Sequence, residues 1–141
     1  MIQQEARILW NEALSPGYYR IGLECLRGFE QVKPGQFVMI RIVEGVDPLL
    51  RRPFSVHRPV VRSGRTRGIE VLYKIVGKGT GLLANLRPDD RVDVLGPLGS
   101  AFLIPPAAKR TCIVAGGIGV APMVFLASHL LNNGIERVNC S

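Results

Sequence analysis

The sequence predicts a β domain followed by the opening of an α/β domain, and three observations carry that reading. Through the first hundred residues, short stretches of alternating apolar and polar residues are separated by turn chemistry at close intervals. A single short helical stretch interrupts them. From Thr111 the pattern changes to an apolar run, a glycine-rich turn and an apolar helix.

The strands are expected at 5–13, 18–25, 36–43, 53–60, 68–76 and 91–95. Between them lie Ser15-Pro-Gly17, Lys33-Pro-Gly35, Asp47-Pro48, Arg62-Ser-Gly-Arg65 and Pro88-Asp-Asp90, where proline fixes φ and glycine, asparagine-like or aspartate positions permit the turn. Short strands at this spacing favour a small barrel or sandwich over a βαβ array. The helix is expected to start at Thr80 as N-cap, to carry Leu82, Leu83 and Leu86 on one face, and to end at Arg87-Pro88. Pro105-Pro-Ala-Ala108 reads as a linker and divides the chain into 1–104 and 105–141. Beyond it the expected order is a buried strand at 111–115, the glycine turn, a helix with Pro122 at its first position and a stop at Asn133-Gly134, and a strand at 135–140. On this reading the second domain is incomplete, ending after one β-α unit.

A chain of 141 residues and 15.4 kDa fits about one ordinary domain, or one domain plus a fragment of another. With 47% hydrophobic and 21% charged residues it can bury a core, which excludes disorder. The net charge of +7 is concentrated in Arg51, Arg52, Arg58, Arg62, Arg65 and Arg67. No interleaved aromatics and no helix-turn-helix, RRM or zinc-finger spacing accompany them, so nucleic acid is set aside in favour of a local diphosphate site. Cys25, Cys112 and Cys140 are odd in number and widely separated, which indicates neither a disulfide framework nor a metal site. The stretch 111–134 lacks Asp, Glu, Lys and Arg and is long enough to cross a bilayer as a helix. Gly116, Gly117, Gly119 and Pro122 break it, so no membrane span is expected. Residues 1–7 are polar and open no secretory signal, so a cytoplasmic location is expected.

Three segments carry chemistry. Arg52 offers a planar, permanently charged fork for a diphosphate, Pro53 stiffens the backbone presenting it, Phe54 offers a face for a flat heterocycle, and Ser55 offers a hydroxyl. A flat strand sends Arg52 and Ser55 to opposite faces, so their joint use requires a bend near Pro53. Gly77-Lys-Gly-Thr80 precedes the short helix, where the amides of Gly79, Thr80 and Gly81 can converge on phosphate oxygens. Leu72-Tyr-Lys74 would run beside a ligand gripped by both. Gly116-Gly-Ile-Gly119 follows the dinucleotide fingerprint from strand to helix, but Pro122 stands where a third glycine is usual and Glu136 is the only later acidic residue. His57 and His129 have no acidic neighbour in sequence and are read as structural. There is no nucleophile-base-orienter set and no carboxylate pair, so no catalytic residue is assigned. Two dinucleotide-type sites in one chain point to electron transfer.

Taken in order, Arg52-Pro-Phe-Ser55, Leu72-Tyr-Lys74 with Gly77-Lys-Gly-Thr80, Leu95-Gly-Pro-Leu-Gly99 and Ala115-Gly-Gly-Ile-Gly-Val-Ala-Pro122 resemble the ferredoxin-NADP reductase superfamily. Within it, Leu50-Arg-Arg-Pro-Phe-Ser-Val-His57, Val76-Gly-Lys-Gly-Thr80 and Gly96-Pro-Leu-Gly99 are most similar to the electron-transfer subunits of NAD-dependent dihydroorotate dehydrogenases. The resemblance covers essentially the whole chain. It implies a six-stranded antiparallel FAD-binding barrel followed by the start of a Rossmann-like NAD-binding domain. It also implies that Arg52 meets the FAD pyrophosphate, with Pro53 and Phe54 beside it and Ser55 near the flavin N5. Leu72, Tyr73 and Lys74 would run along the flavin and ribityl chain, Gly79 and Thr80 would meet the phosphates, and Gly116, Gly117 and Gly119 would line the NAD side. Tyrosine is frequent in the superfamily where Phe54 stands, so ring packing is expected here without a hydroxyl contact.

By the same resemblance the chain is an FAD-dependent oxidoreductase subunit of pyrimidine biosynthesis. Electrons would come from an FMN-containing dihydroorotate dehydrogenase catalytic subunit, within a heterotetramer, through a two-iron two-sulfur cluster to FAD and on to NAD. The family binds that cluster with four cysteines near the C-terminus, a motif this sequence does not contain. The cluster is therefore expected only in a full-length member, and this chain is expected to be C-terminally truncated and inactive alone. The alternatives are the flavin subunit of a sulfide dehydrogenase or NADH-dependent ferredoxin-NADP reductase and, from another class, a non-catalytic basic β-barrel module.

Overall fold

A computed structural model describes residues 1–42 and 50–141. Six strands, β1 (Ile2–Ser15), β2 (Tyr18–Glu24), β3 (Phe37–Ile42), β4 (Arg52–Arg62), β5 (Arg65–Lys74) and β6 (Arg91–Leu98), close into a barrel in the order β1-β2-β5-β4-β3-β6. Every pairing within it is antiparallel. The alternation read from the sequence puts Ile21, Leu23, Val38, Val56, Ile69, Val71, Val92 and Val94 inside, all fully buried. Closure settles barrel against sandwich. It rests on β1, whose first half pairs with β6 and whose second half pairs with β2.

Several strands run longer than their apolar alternation. Residues 2–4 of β1 are mostly polar, yet Ile2, Gln3 and Gln4 sit opposite Gly96, Leu95 and Val94, so ladder hydrogen bonds extend the strand where side-chain pattern does not. At the far end β6 continues to Leu98 opposite Phe37. The β4–β5 hairpin closes through Ser63 and Gly64, both at positive φ (51° and 73°), the backbone required of a two-residue turn.

Helix α1 (Lys78–Asn85) begins two residues before the expected N-cap. Thr80 lies inside its first turn instead. Its Oγ1 accepts from the amides of Val76 (2.9 Å) and Gly77 (3.2 Å) and donates to the Gly77 carbonyl (3.0 Å), so the hydroxyl ties down the approach to the helix from within. The expected strand residue Val43 and the turn Asp47-Pro48 lie outside the described residues.

After the barrel come β7 (Arg110–Ile113), one 3-10 turn (Gly117–Val120), α2 (Ala121–Asn132) and β8 (Arg137–Cys140), with β7 and β8 parallel. Pro122 is the second residue of α2, not the first. This helix straddles two apolar clusters. Phe125 joins the barrel core, while Leu126 and Leu130 pack with Ile113 and Ile135.

Candidate functional site

The barrel wall opens where two strands separate. Arg52 to Ser55 pair with β3, from Arg52 opposite Ile40 to Ser55 opposite Phe37, but pairing of β4 with β5 begins only at Val56 opposite Val71. Leu72, Tyr73 and Lys74 of β5 pair only with β2. A cleft of about 620 Å³ lies between the separated edges. Val56 donates its amide to the Gln36 carbonyl (3.0 Å), so by antiparallel alternation the backbone of Ser55 faces the cleft. Pro53 faces the same way and has no amide to leave unpaired there. On the other side Ile75 donates to the Gly17 carbonyl (2.8 Å), which turns the backbone of Leu72 and Lys74 toward the cleft.

Arg52 stands at one end of this opening. Its Nη1 donates to the Leu50 carbonyl (2.7 Å), and its guanidinium packs against Gly79. A Cβ on Gly79 would fall 2.5 Å from Arg52 Cζ and Nε, so only glycine admits so close an approach of the arginine in this position. Gly81 donates to the Gly77 carbonyl (2.9 Å) and closes the first turn of α1, which leaves the Gly79 and Thr80 amides at the positive end of the helix beside the arginine.

The rest of the barrel holds α1 from behind. Asn11 of β1 donates through Nδ2 to the carbonyls of Leu83 (2.8 Å) and Leu86 (2.9 Å), and its Oδ1 accepts from the Tyr73 hydroxyl (3.0 Å). Tyr73 is 1% exposed, stacks on Tyr19 (ring centroids 5.6 Å apart) and meets Phe54 edge-on (6.0 Å). Burial pushes its hydroxyl above the ordinary tyrosine range. Tyr73 borders the cleft but belongs to the core, so its phenol is committed to Asn11 and offers a ligand almost no surface.

Arg52, Pro53, Phe54, Ser55, Leu72, Tyr73, Lys74, Gly79 and Thr80 thus lie along one cleft, and Gly119 lines its opposite wall. Gly116 and Gly117 do not line it. A Cβ at Gly116, Gly117 or Gly119 would meet nothing within 4 Å, so packing does not require glycine there, and only Gly117 has a positive φ (56°). Sequence reasoning missed Val76, Lys78, Ile118, Ala121 and Pro122 as lining residues. Their signal was contiguity with the two glycine turns. The expected bend near Pro53 is corrected as well. The register from Arg52 to Ser55 against β3 has no bulge, and Ser55 reaches the cleft along the strand's unpaired edge.

The arginine cluster disperses. Arg51 turns away from the cleft to the buried Asp93, which Arg41 (2.9 Å) and Gln3 (3.1 Å) also meet. Arg58 lies 3.0 Å from Glu70. Arg62, Arg65 and Arg67 belong to the hairpin end of β4 and β5. Of the six, Arg52 alone lines the cleft.

Among the described residues no three of His, Cys, Asp and Glu gather as ligands. Cys25 is buried in the barrel, where desolvation pushes its thiol up to about 12, while Cys112 and Cys140 are exposed on neighbouring strands. Among the described residues, no helix is long and apolar enough to cross a membrane.

No family model matches the chain. Among curated proteins it is 40% identical over 129 residues to the dihydroorotate dehydrogenase B (NAD(+)) electron transfer subunit of Desulforamulus reducens, covering 91% of this chain and 48% of that protein. The subunit of the same name from Geobacillus thermodenitrificans is 47% identical over 109 residues, covering 76% of this chain and 41% of its own length. The chain is similar over most of its length to this family of electron transfer subunits. It spans about half the length of the curated relatives it matches. Solved structures share its fold. A ferredoxin NADP+ reductase from Neisseria gonorrhoeae with bound FAD and NADP superposes with a TM-score of 0.76 at 21% identity, covering 98% of this chain and 56% of that one. An NADH-dependent reduced ferredoxin-NADP oxidoreductase gives 0.78 at 25% identity, covering 96% and 46%. These reductases share the fold of the chain with its closed six-stranded barrel.

Proposed function

We propose that the cleft binds FAD and that the chain is the flavin-holding part of an electron-transfer subunit. One observation carries this reading. A permanently charged arginine and the positive end of a helix are packed on each other at a glycine where any Cβ would displace the guanidinium, at one end of a slot with an apolar floor. That is a donor set for a diphosphate attached to a flat heterocycle. Arg52 with the Gly79 and Thr80 amides would hold the pyrophosphate. The backbones of Ser55, Leu72 and Lys74 would bond the polar ring edge and the chain leading from it, with Pro53 and Phe54 as apolar walls and Tyr73 as their support. The bound flavin supplies a reversible store for two electrons.

The second wall, with Gly119 and the adjoining Gly116 and Gly117, would bear on NAD. We divide the chain on that basis into an FAD-binding unit, 1–104, and a nucleotide-binding β-α unit, 105–141. The names of the relatives support a route from a dihydroorotate dehydrogenase partner to NAD. We propose further that this route passes through FAD in pyrimidine biosynthesis and that the partner is an FMN-containing catalytic subunit within a cytoplasmic heterotetramer. The likeness to the NADH-dependent oxidoreductase keeps a second donor, reduced ferredoxin, as the competing reading. Purified chain incubated with FAD and passed through gel filtration should carry visible flavin absorbance with the protein peak. Protein emerging colourless would refute the reading. Reduction of that flavin by dihydroorotate with a catalytic partner, against reduction by ferredoxin, separates the donors.

A further inference from the structure

We propose that His57 is a positioning residue that sets the gap between the two walls of the cleft. It is 5% exposed on β4, two residues beyond Ser55, and does not itself line the cleft. Its Nδ1 lies 2.6 Å from the carbonyl oxygen of Ala121, the first residue of α2. A carbonyl only accepts, so Nδ1 carries the proton. Nε2 then presents its lone pair, and Arg58 Nη2 donates to it at 3.2 Å. The other side of the cluster is Glu70 of β5, 4% exposed, with Arg58 Nε at 3.0 Å, Arg20 Nε at 3.5 Å and His57 Nε2 at 3.8 Å. Strand pairing of Arg58 with Glu70 brings together groups twelve positions apart, which is why the sequence showed no acidic partner for His57.

The consequence follows from where the two ends of this link sit. Ser55 is on one wall. Ala121 is on the other, with Ile118, Gly119 and Pro122. The path from Ser55 through His57 to Ala121 is a strand segment, one imidazole and one hydrogen bond, buried from Val56 onward and held in orientation by Arg58. Phe125, one turn further along α2 and buried in the barrel core, is its apolar counterpart. Together they fix both height and rotation of the glycine turn over the slot. That the gap matters for bringing two nucleotides together rests on the function proposed above. The link itself does not.

The test uses the 141-residue chain. Nitrogen-15 spectra of the wild-type imidazole should show the Nδ1-protonated tautomer for His57. In H57L, amides of 118–125 should exchange with deuterium about three- to tenfold faster, the range for one lost buried hydrogen bond, while those of β1 and β6 keep their wild-type rates. H57N, which keeps an N–H donor close to the Nδ1 position, should restore most of that protection. An Nδ1 without its proton, unchanged exchange at 118–125 in H57L, or H57N behaving like H57L would each overturn the proposal. The spectra of the wild type decide even where H57L folds poorly. Wild-type chain that passes this test but retains no FAD would sink the proposed function and leave the link standing.

Discussion

The contact between Gly79 and Arg52 makes a prediction that separates ligand binding from stability. In Gly79→Ala the new Cβ would be placed 2.5 Å from Arg52 Cζ and Nε and 2.9 Å from Cδ. These atoms end a flexible side chain, so the guanidinium moves and the helix does not. Folding stability should hold or rise slightly, because alanine exceeds glycine in helix propensity by up to about 1 kcal/mol. FAD affinity should fall by as much as in Arg52→Ala. A lost charge-assisted hydrogen bond costs about 1.5 to 3 kcal/mol, or about 10- to 150-fold in Kd. The double variant should bind no more weakly than either single one, since both remove the same interaction. Gly81→Ala is the control, for its Cβ would meet nothing within 4 Å on the same helix. Flavin-fluorescence titration of the four proteins, with melting curves alongside, gives the answer. Wild-type affinity in Gly79→Ala, or additive losses in the double variant, would refute the reasoning.

Arg51→Ala should act on stability more than on FAD. It takes one of two arginines from Asp93, whose side chain is 8% exposed, and should cost about 1 to 2 kcal/mol in urea unfolding while weakening FAD less than Arg52→Ala does. Asn11→Leu strips two α1 carbonyls and the buried Tyr73 hydroxyl of their partner, for a loss of about 2 kcal/mol and a Tm lower by about 6 °C in calorimetry. A thiol reagent at mildly alkaline pH should count Cys112 and Cys140 in the native chain and Cys25 only after unfolding. The folded state keeps a proton on Cys25 that the unfolded chain releases above the ordinary thiol value of 9.0. That contribution to stability is therefore full below about pH 9 and is lost as pH climbs toward about 12, which unfolding curves across that window would show.

The strands were legible because their apolar alternation is strong, but alternation names no partners. That β4 lies between β5 and β3, and that the wall parts at Ser55 and Val56, follows from register and from no local pattern. The adjacent arginines show the same limit. Arg51 and Arg52 look equivalent as letters, yet one reaches Asp93 and the other Gly79, because neighbouring residues of an extended chain face opposite ways. Thr80 was recognised as a capping residue but stands three positions after the N-cap Gly77, where its hydroxyl accepts from the Val76 and Gly77 amides from inside the helix. His57 was passed over for lack of a neighbour in sequence, and its partners arrive from α2 and from the far side of a hairpin. The glycines of 116–119 were legible as a turn, but only Gly119 reaches the cleft.

The central claim is that one end of the cleft grips a diphosphate and the rest accepts a flavin ring. Titration of the purified chain with FAD and with riboflavin, under identical salt, tests it directly. The account predicts that FAD binds at least about tenfold more tightly, the worth of one charge-assisted contact to the pyrophosphate, and that added salt narrows the difference. Equal affinity for the two, or no binding of FAD, would contradict it.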